Sequence, residues 1–227
     1  MNLENKKRHR IITFLVIILI IVGLLFISYP FIQIYLDKRT ISENLNKWDK
    51  ERVIVYNDKL ENNKNNKNNK SPNNKLKDNK SENIKDNQKK FPEVRIKGKS
   101  IIGKIIFPKT GDEIPILKGA TEENLKGGAT IYDNGIYPGN YGTSVILGHR
   151  ETTFGFLENI HIGDEVNIES LNEIYKFKVK KIYITNPEDK SILEQENKPS
   201  ITLVTCYPFR YIGSAPERFI VKLDLIS

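Results

Sequence analysis

Cysteine is almost missing from this chain: its 227 residues include one, Cys206. No intramolecular disulfide can form, and no cysteine pair offers the spacing of a zinc site. Histidine is nearly as scarce, with only His9, His149 and His161. The C-terminal half lacks long helical periodicity; its helical signals are short, as where Thr121 can cap a turn with Glu123 before Leu125. It also lacks a charge excess. The formal net charge is +8, but the surplus of Lys and Arg falls within the first 90 residues and leaves 91–227 close to neutral. A nucleic-acid-binding domain needs a basic face on the folded part, so that class is disfavoured.

Long apolar runs are present once. Lys6, Lys7, Arg8, His9 and Arg10 precede an uncharged stretch from Ile11 to Leu36. A helix needs about 20 residues to cross the hydrocarbon core, and this stretch suffices. Ser28-Tyr29-Pro30-Phe31 follows the most apolar part and offers no small-x-small cleavage pattern, so an uncleaved anchor is expected. The dense basic tail, residues 1–10, favours an N-terminus inside the cell and a C-terminal domain outside it.

Residues 37–60 read as a juxtamembrane stalk. Ile41, Leu45 and Trp48 stand at i, i+4 and i+7, and Glu43–Lys47 is a favourable pair. The expectation is a solvated helix without a partner. Residues 61–90 are rich in Asn and Lys, with Leu76 and Ile84 as the large apolar groups. Such a segment buries too little surface to offset its ordering entropy and is expected to be a flexible tether.

From Phe91 the texture is β. Short apolar runs occur at 101–107, 113–117, 143–147, 165–168, 175–184, 201–206 and 219–226, separated by Gly-, Asn- and Pro-rich turns. Lys176-Phe177-Lys178-Val179-Lys180 alternates strictly, which predicts one wet face. Seven or eight short strands at this spacing suggest a closed barrel or a sandwich.

Cys206 ends the run Ile201-Thr202-Leu203-Val204-Thr205, and Pro208 should stop the strand just beyond it. Twelve residues on, Arg218 opens Phe219-Ile220-Val221. A thiol beside a cation ionises more readily, and the thiolate is the nucleophile. A lone cysteine is more often a small buried hydrophobe, so the reading needs a base. His149 supplies one: it follows Ser144-Val145-Ile146-Leu147-Gly148 and also stands at a strand end. Cys206 as nucleophile, His149 as proton-transfer group and Arg218 as oxyanion partner form an acyl-transfer set. A phosphatase-type loop would want an arginine six residues after the cysteine, where Ile212 stands. A thioredoxin-like motif would want a second cysteine where Phe209 stands.

Thr202-Leu203-Val204-Thr205-Cys206 resembles the T-L-x-T-C signature of sortases, the membrane-anchored transpeptidases of Gram-positive bacteria. Gly148-His149-Arg150 resembles their histidine motif, and Arg218 their arginine. Cys206-Tyr207-Pro208-Phe209, then Tyr211-Ile212-Gly213 and Ala215-Pro216, is similar to class D members. The resemblance covers about residues 99–227. It implies a mainly all-β fold, an eight-stranded barrel with short helices, in a catalytic domain over 91–227. It implies cleavage after the threonine of an L-P-x-T-G-like sorting signal on secreted proteins. The acyl group would pass to an amine of a peptidoglycan precursor or a pilin. Thr205 and Tyr207, which flank the thiol, are expected to touch the substrate. No cofactor is expected. Some relatives bind calcium, but the acidic loop with Glu188, Asp189, Glu194 and Glu196 reads as solvated.

Overall fold

Alternation builds the domain. In the computed structural model, which describes residues 3–66, 91–133, 136–211 and 213–227, the run around Phe177 becomes a strand that buries Phe177 and Val179 and leaves Lys176, Lys178 and Lys180 in water. Nine strands form among the described residues. They are β1 (Val94–Ile96), β2 (Lys99–Phe107), β3 (Asp112–Lys118), β4 (Ala129–Ile131), β5 (Thr143–Leu147), β6 (Glu165–Glu169), β7 (Ile174–Thr185), β8 (Ser200–Tyr207) and β9 (Glu217–Leu225). Their order is β1-β2-β3-β4-β5-β8-β9-β7-β6, and a β2–β6 pairing closes strands β2 to β9 into an eight-stranded barrel. β1 is an extra strand hairpinned onto β2. The pairs β3–β4 and β5–β8 are parallel and the rest antiparallel.

Ile105, Ile116, Ile146, Leu203, Val221 and Phe177 are among the side chains that fill the interior. Each such burial contributes about 1.5–3 kcal/mol. The seven strands expected from apolar runs all form. Thr121 caps a short helix α2 (Glu122–Leu125), its hydroxyl accepting from the Asn124 N–H at 3.2 Å.

One continuous helix, α1 (Leu3–Asn66), holds both the apolar stretch and the stalk. Its apolar part has a mean hydropathy of 3.3 and packs on nothing in the protein. The stalk differs from the solvated helix expected. Ile41 and Asn44 are buried, and Trp48 is wholly so, against Ile96, Ile101 and Leu117. The Asn44 side-chain amide donates to the Gly127 carbonyl at 2.9 Å, and the Trp48 indole donates to Glu169 at 3.3 Å. Arg52 pairs with the other Glu169 oxygen at 2.8 Å. Lys104, 6% exposed, reaches Asp49 at 2.8 Å and Glu113 at 2.9 Å. Glu43 pairs with Arg39 and Lys97. The helix has a partner because a polar stripe meets matching charges on β2, β3 and β6. The first six residues of the expected tether, 61–66, belong to α1; the remainder, 67–90, lies outside the described residues.

Candidate active site

Strand register brings two of the candidate residues face to face. β8 and β9 run antiparallel with Cys206 directly opposite Arg218. β5 and β8 run parallel with Leu147 opposite Val204. The Gly148 N–H continues that ladder, donating to the Val204 carbonyl at 3.1 Å. One residue further, His149 leaves the sheet on the flank of Cys206 that Arg218 does not occupy.

Side-chain alternation fixes which face the thiol shares. Ile201 and Leu203 enter the barrel interior, whereas Val204 and Ile220 join Val145 and Ile192 in a separate cluster with Leu147 and Tyr183 against it. Cys206 and Arg218 follow the parity of Val204 and Ile220, so they stand on the outer face of the sheet. Cys206 is half-buried with a free sulfur. Arg218 donates to the carbonyls of Ala215 (3.3 Å) and Glu217 (2.9 Å). No hydrogen bond joins the thiol to the imidazole or the guanidinium among the described residues; such contacts commonly tighten only with substrate in place.

The backbone at His149 is pinned. Its carbonyl accepts from the N–H groups of Thr153 (3.0 Å) and Phe154 (2.8 Å). At Gly148 a Cβ would come within 2.6 Å of the Phe154 ring, so only glycine lets the chain pass. The Thr205 hydroxyl donates to the Gly148 carbonyl at 2.8 Å. Thr205 is 2% exposed. It lies on the interior face, and its hydroxyl holds the turn that carries His149.

Tyr207 also has interior parity. Its ring stacks on Phe219 with centroids 6.1 Å apart and meets Phe209 edge-on at 5.9 Å. With Glu158, Ile184 and Arg210 these rings line a cavity of about 300 Å³ at the mouth of the barrel. Tyr207 thus borders an open space on the side of β8 opposite the thiol.

One carboxylate approaches the imidazole, and a second acts on it through charge. Glu122 of α2 lies 3.9 Å from His149 Nε2. Asp37 of α1 has its pKa raised by burial, against the opposing pull of Lys126 and His149. His161 is exposed beside Asp164 and Lys109, and His9 is exposed on α1. In the acidic loop, Asp189 caps the short 3-10 helix Lys190–Leu193, and Glu196 pairs with Lys180 and Lys198. Among the described residues no three His, Cys, Asp or Glu side chains form a cation cage.

Arg150 was not singled out as a functional residue from the sequence. It is 6% exposed, and its guanidinium donates to the carbonyls of Pro208 (2.8 Å), Tyr211 (3.0 Å) and Gly213 (3.0 Å), all in the β8–β9 loop. Its Nε donates to Glu151 at 2.6 Å. The only sequence signal was its place beside His149.

A closed eight-stranded barrel carries cysteine and arginine on paired strands and histidine at the adjoining strand end. The chain belongs to the Sortase family, whose domain model matches residues 105–226. Within it the chain is most like class D. It is 33% identical over 120 residues to Sortase D of Bacillus subtilis (strain 168), covering 52% of this chain and 61% of that protein. The match thus spans about six-tenths of the relative's length. It also superposes on sortase C1 of Streptococcus agalactiae with a TM-score of 0.52 and 27% identity, over 56% of this chain and 68% of that one. A Clostridium perfringens sortase D5 shares the fold with a TM-score of 0.55 and 23% identity, over 85% of this chain and 99% of that one.

Proposed function

We propose that this chain is a membrane-anchored cysteine transpeptidase that cleaves an L-P-x-T-G-like sorting signal after its threonine. The observation that carries the reading is the register of β5, β8 and β9, which flanks Cys206 with Arg218 on one side and the His149 strand end on the other. The Cys206 thiolate attacks the threonine carbonyl, and Arg218 stabilises the oxyanion. His149 protonates the leaving amine as the C–N bond breaks, leaving a thioester on Cys206. An incoming amine, from a peptidoglycan precursor or a pilin lysine, loses a proton to His149 and displaces the thiol. The long apolar segment of α1 supports an anchor with the N-terminus inside and the barrel outside the cell. Its partners are then secreted proteins carrying C-terminal sorting signals.

The test uses the full chain in detergent micelles, an L-P-x-T-G peptide and a glycine-based amine, with product masses as the readout. Ligated product and a trapped thioester on Cys206 are expected, and neither with Cys206→Ala. Ligation by the Cys206→Ala protein would overturn the mechanism. Release of free acid alone, with amine in excess, would make the enzyme a peptidase.

A further inference from the structure

The direction of α1 across the barrel carries information about the bilayer. Asp37 is the first charged residue after the apolar stretch 11–36. Beyond it the helix crosses the barrel wall in a fixed order. Asn44 holds Gly127, just after α2, and Arg52 holds Glu169 at the end of β6. From Asp37 to Arg52 the helix rises about 22 Å at 1.5 Å per residue. The α2 side of the barrel is therefore the bilayer side, and the Glu169 side is the far side. α2 also carries Glu122, 3.9 Å from the catalytic imidazole. Asp37 itself lies among Lys126, His149, Glu123 and Lys99, whose charges act on its carboxylate.

We infer that docking of α1 on β1–β3 holds the barrel on the membrane with its His149–Cys206 rim turned toward the lipid headgroups. This rests on the anchoring proposed above. The interface partner is the surface of the lipid bilayer that the apolar part of α1 enters. Lys38 and the exposed Lys126 stand at that level beside Asp37 and the exposed Glu122 and Glu123, a mixed polar rim suited to zwitterionic and anionic headgroups alike. The helix makes the site's height above the bilayer a property of the fold: a barrel on a free tether would sample all orientations, whereas one fixed by Trp48, Asn44 and Arg52 does not. The donor peptide then meets the thiol at the lipid–water boundary.

The sole cysteine makes this measurable. The full chain, inserted in vesicles of phosphatidylglycerol and phosphatidylcholine, is labelled at Cys206 with a maleimide donor, and energy transfer to a headgroup-borne acceptor is recorded. The reference is Asn172→Cys in a Cys206→Ser background, exposed in the turn beyond Glu169. With the far side about 22 Å further from the lipid, transfer from position 206 should be about two-fold more efficient. Trp48→Ala/Arg52→Glu should equalise the two positions while the barrel still melts cooperatively, and the milder Arg52→Glu should move them part of the way. Equal transfer in the parent protein, or an unchanged ratio in the undocked variants whose barrel still melts, would overturn the inference. Failure to co-float with vesicles would overturn the anchoring itself. Loss of ligation by the unlabelled protein with the transfer ratio intact would overturn the transpeptidase proposal and leave the docking supported.

Discussion

Replacing Arg150 by alanine should loosen the loop between Cys206 and Arg218 far more than it destabilises the barrel. The guanidinium is 6% exposed and serves three main-chain carbonyls within 3.0 Å. A hydrogen bond from a charged donor contributes about 1.5–3 kcal/mol. Full additivity would exceed what a surface loop can lose, because water reaches the freed carbonyls of Tyr211 and Gly213. Taking one bond at full value and the others mostly replaced by water leaves about 3 kcal/mol. That corresponds to roughly a hundred-fold rise in the open population of the loop. Hydrogen exchange read by mass spectrometry should show residues 207–217 exchanging about that much faster, while β2 and β7 change little. In ligation assays kcat should fall with KM altered less, since displacing Arg218 from the thiol weakens the oxyanion more than the bound substrate. Arg150→Lys should recover part of the protection, because an ammonium can serve one or two of the carbonyls but not the whole fork. Unchanged exchange over 207–217 in Arg150→Ala, or an acceleration no greater there than in Arg150→Lys, would refute the reasoning.

Other expectations follow from the same contacts. Thr205→Val keeps the shape but leaves the Gly148 carbonyl without its 2.8 Å donor; it should cost about 1–3 kcal/mol of stability and lower kcat more than it raises KM, with equal changes in both refuting a positioning role. Gly148→Ala drives a Cβ into the Phe154 ring at 2.6 Å; overpacking of about 1–3 kcal/mol should lower the melting temperature and abolish thioester trapping, and an unshifted melt would contradict the close approach. Lys104 has its pKa raised above 10.5: burial opposes the charge, but the hydrogen bonds it donates to Asp49 and Glu113 outweigh it. A raised folded-state value means that its contribution is fully present below pH 10.5 and is lost as pH climbs through the higher value. The emission of Trp48, the only tryptophan, should therefore stay blue-shifted across neutral pH and move red only above about 10.5; a red shift near pH 7 would exclude Lys104 as the anchor of docking.

Much of the barrel was legible because burial in a strand has a period of two and turns have their own residues. The seven runs between Ile101 and Ile226 carried both signals. β1 and β4 carried neither, since three residues such as Ala129-Thr130-Ile131 cannot display a period; they exist because β2, β3 and β5 offer them a ladder. The three candidate catalytic residues were legible as scarce reactive types at strand ends. Their supports were not. Arg150 bonds to main-chain carbonyls, which every residue possesses, so its partners leave no trace in composition. Thr205 adjoins the thiol in sequence, yet strand alternation turns the two to opposite faces, and its bond to the Gly148 carbonyl leaves no mark in the sequence.

The docking of the stalk is hidden in the sequence for a related reason. Asn44 interrupts the apolar stripe of α1, and Lys104, Glu113 and Glu169 look like surface charges one at a time. Only their pairing with Asp49 and Arg52, across more than fifty residues of chain, turns them into a docking site. A polar stripe of this kind gives little to hydrophobic burial but is selective. Apolar packing around Trp48 alone would tolerate sliding, whereas the Trp48 indole, Arg52 and Asp49 meet their partners in one register only. Selectivity of that sort is what an anchor needs if it is to set an orientation rather than merely hold a domain near a membrane. The charged residues of the stalk should therefore govern where the site points, and Trp48 how firmly it is held.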